Sequence, residues 1–304
     1  MQKGVRKTLA MTFVFLMILP AILTPQVGAT EAQQPSLSVG NYWKYRVEYL
    51  NPDSGNVIMS GTTTREIIRE ANITIGSETY QCLVIQVEGS WADTTIWTMS
   101  GAVYRLKSDL RTVKEDMEIT MRIGEEVIYN QISNVTYDPP LLKELSFPLT
   151  EGKNWTVSVN KTETVTLSGE PPDTKTTYVA RNYTVGMAID RVTVDAGTFD
   201  TFVISYTSDY IYEQYYSPSV GGNVMELQYR RIDERLLMRM ELMETNYVAP
   251  SGPLEWWLWL SIAIIIVVAV SIVYIFIIRM RKPSTPSGTA KMTLAANFLS
   301  PSIF

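Results

Sequence analysis

Between residues 36 and 248 the chain alternates apolar and polar side chains with a period of two, the spacing of a half-buried strand. From Tyr42 to Tyr49, Trp43, Tyr45, Val47 and Tyr49 share one face, while Lys44, Arg46 and Glu48 share the other. Met117, Ile119, Met121 and Ile123 oppose Lys114, Asp116, Glu118, Thr120 and Arg122. Trp155, Val157 and Val159 oppose Thr156, Ser158 and Asn160. Turn residues separate the runs, as in Asn51-Pro52-Asp53-Ser54-Gly55 and Gly169-Glu170-Pro171-Pro172-Asp173. No long helical period interrupts them, and only Leu141 to Leu145 has room for a turn or two of helix. Strands that lack covering helices must bury their apolar faces against one another. The expected fold is therefore an all-β ectodomain of antiparallel meanders, in two packed sheets or one strongly curved sheet.

The pattern repeats. Leu37-Ser-Val-Gly40-Asn-Tyr-Trp43-Lys-Tyr-Arg-Val47 matches Leu149-Thr-Glu-Gly152-Lys-Asn-Trp155-Thr-Val-Ser-Val159 at an offset of 112. Thr79-Tyr80-Gln-Cys-Leu-Val84-Ile85 matches Thr198-Phe199-Asp-Thr-Phe-Val203-Ile204 at an offset of 119. Landmarks that recur in one order predict two tandem β units, 36–138 and 146–248.

Three motifs carry a resemblance. They are Gly40-x-x-Trp43-x-Tyr45-x-Val47, then Asp195-Ala-Gly-Thr-Phe-Asp-Thr-Phe-Val-Ile204, then Tyr215-Tyr-Ser-Pro-Ser-Val-Gly221. Together they resemble a pattern in uncharacterised exported β-rich proteins and lipoproteins of bacteria and archaea. That resemblance implies an extracytoplasmic antiparallel β fold and no known activity. The chain is more distantly similar to the curved half-barrels of lipoprotein carriers. In those, helices line the concave face, and this sequence shows none.

The ends supply an address. Lys3, Arg6 and Lys7 precede an apolar run from Thr8 to Leu23, and Val27-Gly28-Ala29 offers a cleavage site, so 1–29 reads as a signal peptide. Residues 256–278, from Trp256 to Ile278, carry no charge and would reach about 34 Å as a helix. Trp256, Trp257 and Trp259 crowd one end, and Arg279, Arg281 and Lys282 close the other. This run is expected to span the lipid, joined to the β units by a linker at 249–255. The protein is then a single-pass protein of the cytoplasmic membrane, with the domain outside and a basic, disordered tail at 279–304 on the cytoplasmic side. All 31 acidic residues lie between Glu31 and Glu255, with 19 of the 26 basic ones, leaving a net charge of −12 there. Such a surface repels phosphate backbones and argues against nucleic acid.

Candidate chemistry is sparse. There is no His, which removes Ser-His-Asp triads and His-based metal sites. Cys82 stands alone in the apolar run Leu83-Val84-Ile85 and is expected to be a buried structural thiol. Ser158 and Lys161 match a Ser-x-x-Lys motif, but on a strand they face opposite sides. Glu115-Asp116-Glu118, Glu125-Glu126 and Asp233-Glu234 are expected on solvated faces or turns, and Met225, Met238, Met240 and Met243 in ordinary core. No catalytic, cofactor or metal site is assigned. Tyr206, Tyr210, Tyr212, Tyr215 and Tyr216 are candidates to line a groove. Five N-x-T sequons, at Asn72, Asn134, Asn154, Asn160 and Asn182, are candidate glycosylation sites, each on the outward parity. An exported domain without a disulfide, carrying sequons, points to an archaeal surface protein, with a bacterial one as the alternative. The expected role is a non-enzymatic binding or scaffold module that touches membrane lipid through 256–278 and an envelope protein or glycan outside. The alternatives are a carrier or receptor for an apolar ligand and a hydrolase that uses carboxylates alone.

Overall fold

The computed structural model describes residues 31–138, 141–249, 262 and 264–272. Fourteen strands occur among them: β1 Glu31–Ala32, β2 Tyr42–Leu50, β3 Val57–Ile75, β4 Glu78–Ala92, β5 Ile96–Leu106, β6 Thr112–Ile123, β7 Glu126–Asp138, β8 Leu149–Thr150, β9 Asn154–Leu167, β10 Asp173–Val194, β11 Gly197–Thr207, β12 Tyr210–Ser217, β13 Gly222–Arg230 and β14 Arg235–Thr245. The alternation seen in the sequence sets these strands, and each long strand pairs antiparallel with its neighbours.

Twelve of them form one closed barrel in the order β10-β11-β12-β13-β14-β2-β3-β4-β5-β6-β7-β9. β14 returns to β2, with Leu242 opposite Tyr45, and β7 passes to β9, with Asn134 opposite Thr164. Of the two arrangements expected, two packed sheets or one strongly curved sheet, the curved sheet forms, and its curvature carries through to closure. A single sheet curls until its edges meet, which leaves no unpaired strand edge. Curling demands close approaches. A Cβ on Gly61 would lie 2.0 Å from the Ser90 carbonyl oxygen, and one on Gly101 would lie 2.1 Å from that of Asp116. Only glycine admits the neighbouring backbone so near.

The interior is uneven along the barrel axis. One end holds the starts of β2, β4, β6, β9, β11 and β13 and is packed. Trp43, Tyr45, Val113, Val157, Phe202, Val224 and Leu242 are all buried there. Ala32 of β1, Leu149 of β8 and, from outside the strands, Leu110, Leu142, Val220 and Tyr247 plug that end. β1 and β8 pair with each other as part of this floor. Residues 141–148 form no helix, contrary to the expectation for Leu141 to Leu145, and Leu142 instead bridges to Thr112 of β6. Toward the hairpin tips at the other end, inward side chains such as Met99, Met117, Leu227 and Met238 stay half-exposed. Tyr49 meets Trp91 and Trp97 meets Tyr129 near that mouth, with ring centroids 6.1 and 6.2 Å apart.

Among the described residues no helix is long and apolar enough to cross a membrane. Residues 262 and 264–272 are helical, and the rest of the 256–278 run lies outside the described residues, as do the signal peptide and the 279–304 tail.

Candidate functional site

The plugged floor and the half-exposed wall above it enclose a cavity of about 390 Å³. Its lining mixes chemistries. Ile85, Val87, Val103 and Leu145 supply apolar surface, while Arg65, Arg105, Glu115, Glu144, Glu213 and Glu226 bring charge inside the barrel.

The charges are organised as pairs. Arg65 Nη1 donates to Glu226 Oε1 at 2.9 Å, and its guanidinium lies 5.1 Å from the Tyr45 ring centroid. Asn223 Nδ2 donates to the same carboxylate at 2.9 Å. Burial pushes the Glu226 pKa up, but the Arg65 charge and the hydrogen bonds from Asn223 and Arg65 together hold it below the usual carboxylate value. Arg105 Nη2 donates to Glu144 Oε2 at 2.8 Å. Glu144 comes from the segment between β7 and β9, so a connecting loop supplies the counter-charge to a strand residue.

Glu115 also faces inward and accepts a hydrogen bond from Tyr137 Oη at 2.8 Å. Burial and the nearby Glu144 carboxylate raise its pKa. This corrects the expectation of a solvated Glu115. Its parity is that of Met117, whereas Glu118 on the other parity is exposed. Glu213 accepts from Tyr215 and Tyr229, each at 3.1 Å.

One inner wall is aromatic. Trp155 stacks on Tyr183 at 5.1 Å, Tyr183 meets Tyr206 at 4.8 Å, and Tyr206 stacks on Tyr212 at 4.7 Å. The ladder crosses β9, β10, β11 and β12 one rung per strand, the cross-strand pairing expected of aromatic neighbours. Arg181 lies 5.3 Å from the Tyr206 centroid. Burial, with the Glu144 charge behind it, pushes the Tyr183 hydroxyl up to about 12. Of the groove candidates, Tyr206, Tyr212 and Tyr216 line the cavity. Tyr210 is exposed at a hairpin tip, and Tyr215 is bound to Glu213.

The remaining sequence candidates divide plainly. Cys82 is buried, and burial lifts its thiol to about 11, so little thiolate forms at neutral pH. Lys161 faces inward and pairs with Glu163 at 2.9 Å, on the opposite face from the exposed Asn160 beside it. Met240 is buried, and Met238 packs against the same cluster. Among the described residues no group of three potential carboxylate or thiol ligands gathers at one point. Asn72, Asn134, Asn154, Asn160 and Asn182 are all exposed on the outer wall. The inward Arg65, Arg105 and Glu144 were not singled out from the sequence. For Arg65 the signal was its parity with Thr63 and Ile67 on one strand.

No family model matches the chain. No curated protein matches it either. Among solved structures, it is similar to a β-barrel-like protein of the domain of unknown function DUF1849 from Brucella abortus, with 11% identity and a TM-score of 0.40 over 70% of this chain and 98% of that one. It is also similar to a candidate exported protein with a YmcC-like fold from Bacteroides fragilis, with 11% identity and a TM-score of 0.31 over 71% of this chain and 100% of that one.

Proposed function

We propose that the barrel is a non-enzymatic binding module, exported by the 1–29 signal and held at the cell surface by 256–278, that takes a small ligand inside its lumen. The carrying observation is the uneven interior. A barrel of twelve strands is wider than one whose lumen side chains alone can fill, and here segments from outside the sheet fill only one half. The other half leaves a cavity of mixed polarity, the kind of lining that binds small molecules. A bulky residue at Val103, which lines the cavity, tests this reading. Val103→Phe should abolish the ligand-induced change in tryptophan fluorescence while the barrel still unfolds cooperatively. Undiminished ligand response in that variant would sink interior binding and favour the outer wall as the contact surface.

A second reading rests on Glu115 and Glu144. Two carboxyls line one cavity, and the pKa of Glu115 is raised, the combination that carboxylate hydrolases use. Every carboxylate at the cavity with a hydrogen bond, however, is engaged by an Arg, Asn or Tyr of the barrel, which favours binding. Turnover of a glycoside or ester panel that Glu115→Gln abolishes would reverse that preference.

The two six-strand halves, β2–β7 and β9–β14, support an origin by duplication. Gly40 and Gly152 both have positive φ, at 91° and 71°. Ile67 N donates to Asn41 O at 2.9 Å, as Val185 N does to Lys153 O at 2.8 Å. The indoles of Trp43 and Trp155 each donate to a backbone carbonyl of a segment between strands, Val220 and Lys143 respectively. Four of the five sequons fall on the adjacent strands β7, β9 and β10, so glycans there would cover one sector of the wall and leave the mouth clear.

A further inference from the structure

Three carboxylates at the cavity each keep one oxygen unpartnered. Tyr137 donates to Glu115 Oε1, Arg105 to Glu144 Oε2, and Arg65 and Asn223 both to Glu226 Oε1. The second oxygen of each makes no hydrogen bond among the described residues. Thr112 Oγ1 and Tyr216 Oη are also unpartnered but are sealed in the wall, whereas these three oxygens are open to solvent and their residues line the cavity.

An ionised carboxylate accepts hydrogen bonds and cannot donate, so these oxygens call for a donor. Charge narrows the choice. Glu213 apart, whose carboxylate serves the Tyr215 and Tyr229 hydroxyls, the lining carries Arg65 and Arg105 against Glu115, Glu144 and Glu226. Each arginine faces one glutamate, and Glu115 has no cation bonded to it. Of the cations behind the lining, Lys161 is paired with Glu163, and Arg181 lies over the Tyr206 ring. Burial and the Glu144 charge hold the Glu115 pKa up, the response of a carboxylate short of positive charge. An anion would add to the excess of carboxylates. A neutral ligand would strip water from Glu115 and leave its charge uncompensated. A metal ion finds no seat, because no three acidic groups converge to hold one among the described residues. An organic cation suits carboxylates that stand apart, and Ile85, Val87, Met99, Val103, Met117 and Met238 give its carbon chain an apolar wall.

We infer that the cavity binds a primary alkylammonium ligand, whose N–H groups donate to Glu115 and Glu144 and whose chain runs along the Val and Met wall. This rests on the interior-binding reading and gives its ligand a chemical class.

The test is isothermal titration calorimetry on the full chain in lipid nanodiscs, with protein-free nanodiscs as the blank. Octylamine, octyltrimethylammonium, 1-octanol and octanoate share a chain and differ in the head. Octylamine, an ammonium at neutral pH, should bind at least about tenfold more tightly than 1-octanol or octanoate, the worth of one charge-assisted hydrogen bond. It should also bind more tightly than the quaternary ion, which has no N–H to donate. Glu115→Gln keeps an acceptor for Tyr137 and should weaken octylamine by about tenfold while leaving 1-octanol unaffected. Glu118→Gln removes one charge from the exposed outer wall and should leave octylamine binding as it was. Octylamine no tighter than the other probes, no loss in Glu115→Gln, or an equal loss in both variants would overturn the ammonium site, and saturable binding of 1-octanol would then leave interior binding standing. No saturable binding of any probe would overturn interior binding as well.

Discussion

Arg65→Met probes the barrel interior most directly. It removes the cation from a pair whose Nη1 to Oε1 distance is 2.9 Å and leaves Glu226 with Asn223 as its donor. Breaking a fully buried pair costs about 3–5 kcal/mol, because the surviving charge has lost its counter-ion. Here the Arg65 and Glu226 side chains keep 34% and 17% of their area exposed toward the lumen, so solvent screens part of the loss. We expect about 2–3 kcal/mol at neutral pH after that discount. The pH dependence gives a sharper signature. In the wild type the Glu226 pKa is depressed, so its ionised form adds stability above the unfolded carboxylate value, and that stability is lost as pH falls through the folded value. Without Arg65, burial dominates and the folded pKa rises above the unfolded one. The sign then reverses: the contribution is present in acid and lost as pH rises. Urea unfolding at neutral pH and near pH 4 should therefore show a variant deficit that shrinks in acid. Adding Glu226→Leu to Arg65→Met should recover most of the neutral deficit by removing the stranded charge. Recovery should stop short of complete, because Glu144 also acts on Arg65. A deficit of the same size at both pH values, or a double variant no better than the single one, would refute the buried-pair account.

Gly61→Ala should cost about 1–3 kcal/mol, since its Cβ would sit 2.0 Å from Ser90 O and 2.4 Å from Trp91 Cα; wild-type stability in urea would argue against so tight a curl. Glu115 has a raised folded pKa, so its contribution is present below the unfolded carboxylate value and lost as pH rises through the folded one. Gln can still accept from Tyr137, so Glu115→Gln should match the wild type in acid and exceed it at neutral pH, and a variant weaker at neutral pH would refute this. Asn→Gln changes at Asn134, Asn154, Asn160 and Asn182 should each lower the mass of protein from its native host by one glycan without loss of folding, since all four are exposed. Unchanged masses throughout would remove glycosylation from these strands.

The sequence alone determined the class of structure and the sidedness of its strands. Period-two alternation placed Trp43, Tyr45 and Val47 inside and kept every sequon on the outer wall, because adjacent residues on a strand must point to opposite faces. Closure could not be read from it. Alternation is identical for a sandwich strand and a barrel strand. The choice was made by long hairpins whose registers add up around the axis, by register shifts such as that between Ile67 and Arg69, and by the close approaches at Gly61 and Gly101. The cavity was hidden for a related reason. Glu115 shares the parity of Met117, yet an isolated strand gives no way to stabilise an inward carboxylate, so a solvated face was the natural expectation. Its partner Tyr137 lies 22 residues away, and Arg65 and Glu226 are 161 apart. A charge can be buried only where its counter-group arrives, and which groups meet across a lumen is settled when the sheet closes.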